Sequence, residues 1–178
     1  MESAQSIKRR LKSINNIGQI TKAMELVAAT KMRKSQEIAL SSRPYAYAIL
    51  DLLARISGQE FKLPEILRKR DPSVSGKKTA IAIITSDKGL AGSFNSAVIR
   101  FFEKYIKEHQ INIKDSKYIF ISIGKKSSAY LQGKGINIKE KFIRVGDFTV
   151  PEQTNPISDL LSMGYEKKEW DEVLLFST

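Results

Sequence analysis

Residues 79–95 read TAIAIITSDKGLAGSFN, and the order of patterns in that run sets the fold class. Thr79–Thr85 is a short, nearly continuous apolar stretch, as expected of a buried parallel strand. Ser86–Asn95 carries Gly89 and Gly92 and reads as a loop. Ser96–His109 then switches to helical spacing, with Val98, Ile99, Phe102, Tyr105 and Ile106 forming an apolar side. The alternation continues downstream. Tyr118–Ile123 (YIFISI) reads as a second strand, Gly124–Gly133 as a short helix and Ile136–Val145 as an extended segment. Pro156–Tyr165 reads as a third helix and Glu172–Ser177 (EVLLFS) as another strand. Strands alternating with helices predict a parallel sheet with right-handed crossovers. The chain stops on its last strand, so the pattern predicts an α/β domain, 78–178, that is incomplete at its C-terminal end.

Upstream the period is different. Ile7, Leu11, Ile14, Ile17, Ile20, Met24 and Val27 recur in steps of three and four, and good helix formers fill much of the rest. Residues 3–57 therefore read as one long helix, with residues 1–57 as the first unit. Gly18 weakens it, and Pro44 should bend it or begin a new segment. Tyr45, Ile49, Leu52, Leu53 and Ile56 resume the stripe, and Gly58 is a plausible terminator. Some 55 residues of helix would be about 80 Å long, too long for a compact domain of this size. Such a helix has to bury its seam against something else, and the narrow stripe with basic residues beside it suggests a coiled-coil partner. Two or three shorter core helices with a corner at Ser41, Ser42 and Pro44 satisfy the same periodicity. Residues 58–77 are a connection broken by Pro64, Pro72, Ser73, Ser75 and Gly76, with a short helical turn over 65–70.

Composition narrows the function. The 178 residues include no cysteine and one histidine, so disulfides, thiolate metal sites and histidine metal sites are excluded. His109, between Glu108 and Gln110, reads as a solvated helix residue. No apolar run is long enough to span a bilayer, and none of signal-peptide length follows the basic N-terminus. The formal net charge is +11, which calls for an acidic partner. The excess is densest early: residues 1–57 hold 10 Lys/Arg against 4 Asp/Glu.

Three chemistries are open to these residues. The loop SDKGLAGSFN could cradle a phosphate with backbone N–H groups, but the P-loop ending and the dinucleotide fingerprint are both missing. The preferred reading is a structural turn held by Asp87, Gly89 and Gly92, with Asp87 and Lys88 capping or pairing locally. Lys8, Arg9, Arg10, Lys12, Lys22, Lys31, Arg33 and Lys34 could contact nucleic-acid phosphates. No aromatic residue interleaves with them before Tyr45, so base stacking is unsupported and a solvated helix face is the simpler account. No catalytic constellation is evident, since the one histidine has no serine or acid partner in an apolar setting.

The stretch IKRRLKSINNIGQITKAMELVAATKMRKSQ (7–36) resembles the N-terminal helix of the γ subunits of F-type ATP synthases, most specifically in ITKAMELVAATKMRKSQ. SRPYA (42–46), TSDKGLAGSFN (85–95) and IGKKSSAYL (123–131) are similar to that family as well, although Ala91 stands where many members have cysteine. The resemblance covers essentially the whole chain. It implies a long shaft helix, half of an antiparallel coiled coil, whose partner is a C-terminal helix lying beyond the residues here. It further implies a non-catalytic rotor that couples proton flow through a membrane sector to ATP synthesis or hydrolysis in a hexamer of α and β subunits. Its partners would be α, β, ε and the membrane c-ring, with no nucleic acid, no cofactor, no metal and no direct membrane insertion. Its place would be peripheral to the energy-coupling membrane, on the cytoplasmic side. Carried onto this sequence, Lys22, Met24, Lys31, Arg33 and Lys34 would face β, and Ile7, Leu11, Ile14, Ile17, Ile20 and Val27 would pack on the second helix. The alternatives are a basic nucleic-acid-binding module and a γ fragment that does not assemble.

Overall fold

The computed structural model describes residues 3–57, 77–146, 148 and 150–177. Most of the expected connection over 58–77, including Gly58 and the turn at 65–70, lies outside the described residues. The chain divides into two units, Met1–Ala54 and Arg55–Thr178.

Helix α1, Ala4–Ser57, is a single element of 54 residues that supplies the described part of the first unit and ends three residues past its boundary. Ser3 starts it: its hydroxyl accepts the Ser6 N–H at 3.3 Å, satisfying one of the donors a helix start leaves without a partner. The helix passes through Pro44 without interruption, so the reading as two or three shorter helices is not the one the chain adopts. The reason is local. Proline removes one rung, the N–H that would bond to the Leu40 carbonyl. On an exposed helix that carbonyl can turn to water. Just before the gap, the hydroxyls of Ser41 and Ser42 donate to the carbonyls of Ile38 and Ala39 at 2.9 and 3.0 Å.

The second unit is a four-stranded parallel sheet with helices on both faces. Its elements are β1 (Thr79–Ile84), α2 (Phe94–Glu108), β2 (Tyr118–Ile123), α3 (Lys125–Gly133), β3 (Ile138–Phe142), α4 (Pro151–Glu166) and β4 (Glu172–Phe176). The strand order is β3-β2-β1-β4, all parallel, with Thr79 opposite Tyr118 on one side and Glu172 on the other. The chain steps outward from β1 to β3, then returns across the sheet to β4. Right-handed crossovers therefore put α2 and α3 on one face and α4 on the other.

The period-two alternation of the strands sorts the core accordingly. Ile81, Ile83 and Phe120 pack with Val98 and Phe102 of α2 and Leu131 of α3. Ala80, Ala82, Ile121 and Ile123 pack with Trp170 and, from α4, Ile157, Leu160, Leu161 and Tyr165. Trp170 is fully buried beneath Gly164, and its indole N–H donates to the Leu161 carbonyl at 3.1 Å. Gly164 is required there because a Cβ would fall within the indole ring.

The boundary furthest from expectation is the start of α4. The pattern predicts a helix from Pro156, but α4 begins at Pro151 and contains Pro156. Pro151 occupies a first-turn position where a missing N–H costs nothing, and Pro156 deletes a single early rung.

Candidate functional site

Two regions hold the residues singled out in the sequence: the carboxyl edge of the sheet and the surface of α1.

At the sheet edge the loop after β1 is tied to the start of α3. Asp87 accepts the Lys125 N–H at 2.9 Å, the Ser86 carbonyl accepts that of Lys126 at 3.2 Å, and the Thr85 hydroxyl accepts that of Ser127 at 2.7 Å. The N–H of Ser128 goes to the Gly124 carbonyl at 3.3 Å. All four leading N–H groups of α3 are thus occupied by the chain itself, which leaves none of them for a phosphate. Gly124 makes the approach possible, with φ of 95° and no room for a Cβ against the Thr85 carbonyl. The loop is braced internally as well. Asn95 accepts the Ser86 N–H at 2.9 Å, and the Ser86 hydroxyl donates to the Lys88 carbonyl at 2.6 Å. Gly92 takes a left-handed φ of 55°, while Gly89 has neither a left-handed φ nor a close neighbour. Between this loop and the end of β3 lies a cavity of about 660 Å³, lined in part by Asp87, Lys88, Gly124, Arg144 and Gly146.

On α1 the seam residues are solvent-facing: Ile7, Leu11, Ile14, Ile17, Ile20 and Val27 are between 53% and 66% exposed. Helical geometry, about 100° per residue, fixes which of them share a side. Ile7, Leu11 and Ile14 fall within roughly 60° of each other. The steps from Ile14 to Ile17 to Ile20 are three residues each, and together they turn the stripe back by about 120°. A strict heptad drifts only about 20° per seven residues, so the seam wraps more tightly here than an ordinary coiled coil. Ile20, Met24, Val27, Lys31 and Lys34 then share a face about 80° wide. Lys22 and Arg33 lie roughly on the opposite side, some 140–160° from Ile20. The five residues expected to meet β therefore do not form one patch: Met24, Lys31 and Lys34 flank the apolar row, and Lys22 and Arg33 back onto it. Arg33 and Lys34 both reach Glu37, at 3.3 and 3.9 Å, and all three side chains are exposed.

Elsewhere the titratable groups serve packing. Tyr130 of α3 donates to Glu103 of α2 at 2.8 Å, and Lys134 approaches the same carboxylate at 3.1 Å. The Tyr130 hydroxyl first, and then Lys134, hold the Glu103 carboxyl below its ordinary range; burial and Glu103 push the Tyr130 hydroxyl up. His109 caps the end of α2, stacked on Tyr105. Among the described residues no cluster of three or more His, Asp or Glu could hold a metal ion, and no helix is long and apolar enough to cross a membrane.

The ATP synthase family model matches residues 3–178. The chain belongs to the ATP synthase gamma-chain family. The gamma chain of Pelotomaculum thermopropionicum is 35% identical over 176 residues, covering 98% of this chain and 59% of that relative. A gamma chain of Acetobacterium woodii described as sodium ion specific is 33% identical over 177 residues, covering 99% of this chain and 56% of that relative. The chain thus spans a little under three fifths of the length of these relatives. Among solved structures, a chain of the Tetrahymena thermophila mitochondrial ATP synthase central stalk and c-ring shares the fold, with a TM-score of 0.58 at 24% identity. That match covers 88% of this chain and 63% of the other. The family's long helix followed by a parallel α/β sheet is the architecture found here.

Proposed function

We propose that this chain is the N-terminal part of the central-stalk γ subunit of a proton-translocating F-type ATP synthase. In this reading it is a non-catalytic rotor. It couples ion flow through a membrane c-ring to ATP synthesis or hydrolysis in a hexamer of α and β subunits, with ε as a further partner on the stalk. The complex holds it at the cytoplasmic side of an energy-coupling membrane.

One observation carries this reading beyond family membership: a 54-residue helix whose apolar seam is exposed along its length. A solitary helix in water is only marginally stable, because packing supplies most helical stability in proteins. The seam therefore calls for a second helix, and in this reading that is the C-terminal helix of the longer γ chain. A charge falling through about 100 mV yields roughly 2.3 kcal/mol, and several such steps per ATP have to pass through the shaft. A packed pair can carry that load where a single helix would melt.

The split of the basic residues suits a shaft enclosed by a ring. Lys31 and Lys34 flank the seam while Lys22 and Arg33 face away from it, so neighbouring β subunits would meet different charges as the shaft turns.

The test is reconstitution of the full natural chain with the hexamer and membrane sector, followed by ATP-driven ion pumping. Pumping that depends on the chain supports the rotor, and ATP hydrolysis that never couples to ion movement refutes it. Replacing protons with sodium in the same assay checks the ion.

A further inference from the structure

A parallel sheet brings every connection that enters a strand to the same edge. Here these are residues 77–78, 109–117, 134–137 and 167–171, ahead of β1, β2, β3 and β4. Together they hold seven lysines, no arginine and three acids. Residues 77–178 as a whole hold 16 Lys and Arg against 12 Asp and Glu, a surplus of four. The amino edge of the sheet accounts for all of that surplus, because outside these segments the charges balance at nine of each.

The three carboxylates are drawn back into the fold. Asp115 accepts the Lys117 N–H at 3.0 Å and pairs with its ammonium at 3.3 Å. Asp171 accepts the Lys78 N–H at 3.0 Å, and Glu169 pairs with Lys139. Lys78, Lys114 and Lys167 are exposed, and their ammonium groups close no salt bridge with a described residue.

The edge lacks what a protein partner would grip. No large apolar side chain of these segments is exposed. Protein interfaces concentrate affinity on apolar, aromatic or arginine anchors and are depleted in lysine. Arginine's planar fork matches one carboxylate or phosphate at a time, whereas lysine is a compact, hydrated point charge that needs no fixed geometry. An all-lysine edge without anchors suits a surface of diffuse negative charge.

We propose that the amino edge of the sheet rests on the anionic headgroups of the bilayer, held by Coulomb attraction with nothing inserted. Such attraction acts within a Debye length, about 8 Å at physiological ionic strength. Because it has no preferred direction, it leaves a rotor free to turn over the lipid. That an energy-coupling membrane supplies the surface rests on the rotor reading.

The experiment uses the catalytic complex carrying the full natural chain, detached from its membrane sector, and vesicles of phosphatidylcholine with or without phosphatidylglycerol. The complex should sediment with the anionic vesicles and not with the neutral ones. Lys78→Gln, Lys114→Gln and Lys167→Gln together should weaken that binding about a hundredfold, from roughly fivefold per lysine, with an unchanged melting temperature. Lys88→Gln, Lys125→Gln and Lys126→Gln remove as much charge from the carboxyl edge and should leave binding within about twofold, since that edge lies beyond the reach of the headgroups. Equal losses from the two sets, or no binding to anionic vesicles, overturn the proposal. So does an amino-edge variant that binds vesicles normally but attaches poorly to the membrane sector in neutral lipid, which assigns the edge to a protein and leaves the rotor reading intact. An amino-edge variant that loses thermal stability assigns these lysines to folding and also overturns the proposal. A wild-type chain that never assembles refutes the rotor reading by itself, and the same comparison of the two variant sets on the free chain still decides the edge.

Discussion

Asp87 and Lys125 are 38 residues apart in sequence, and the carboxylate of the first accepts the backbone N–H of the second at 2.9 Å. This bond turns a loop that could have cradled a phosphate into the cap of a helix. Replacing Asp87 with alanine should cost about 1 kcal/mol of stability, and asparagine only a few tenths, because a neutral amide oxygen still accepts the N–H. Denaturant unfolding of the three proteins measures it.

The same bond bears on ligands. With the first four N–H groups of α3 taken by Asp87, Ser86, Thr85 and Gly124, phosphate has no donor set at that terminus. Millimolar phosphate should leave the melting temperature where an equal ionic strength of chloride leaves it. A phosphate-specific rise would mean that the loop opens to bind anions.

Gly164 and Trp170 set a second limit. A Cβ at 164 would fall within a fully buried indole ring, and the ring's N–H is held by the Leu161 carbonyl, so the tryptophan cannot swing away without losing that bond. Gly164→Ala should destabilise the α/β unit by about 3 kcal/mol, at the upper end of overpacking costs. Tryptophan fluorescence during urea unfolding reads it directly. A variant as stable as wild type would show that the packing between α4 and the sheet yields easily.

Much of this fold is legible in the sequence because burial and period coincide. TAIAII and YIFISI are strands in the structure as they are in the pattern, since both lie inside the sheet and both faces demand apolar side chains. The start of α4 is misread because Pro156 looks like a boundary, whereas the cost of proline depends on how many rungs precede it. Pro44 misleads for another reason: it sits deep inside α1, but that helix is exposed and the carbonyl it frees can turn to water. The motif that points Lys22, Met24, Lys31, Arg33 and Lys34 toward β carries no angle; only the helix itself divides Lys22 and Arg33 from Met24, Lys31 and Lys34.

The Glu103 clamp should give a pH signature. Its carboxyl is held below its ordinary value of 4.5, chiefly by the Tyr130 hydroxyl and then by Lys134. A depressed folded-state value means that the stabilisation is fully present above the unfolded value and is lost as pH falls through the folded one. Wild type should therefore exceed Glu103→Gln at neutral pH and converge with it in acid. The pair is largely exposed, so the gap should stay within about 1 kcal/mol. Urea titrations from about pH 7 to pH 3 would show it, and a constant gap across that range would refute the assignment.

Charge reversal on α1 tests the division of its faces. Arg33→Glu together with Lys34→Glu should weaken coupling of ion flow to ATP turnover in the full complex, and so should Lys22→Glu if the side away from the seam also meets the hexamer. The helix itself should change little, because the ion pairs of Arg33 and Lys34 with Glu37 are exposed and worth under about 1 kcal/mol. Coupling preserved in all three reversals would remove these cations from the interface.

The seam makes the sharpest demand. Ile14 and Ile20 are 66% and 60% exposed, and two three-residue steps place them about 120° apart around α1. A straight partner could cover one of them. A helix wrapping more tightly than a heptad would cover both. In the full chain, Ile14→Ala and Ile20→Ala should each lower the stability of the coiled coil by about 2 kcal/mol or more, the usual cost of truncating a buried isoleucine. Gln19→Ala, roughly 100° or more from either, should stay within about 0.5 kcal/mol. If only one isoleucine matters, the partner runs straight and the three-residue steps merely release the other to solvent; if neither does, the seam has a different occupant.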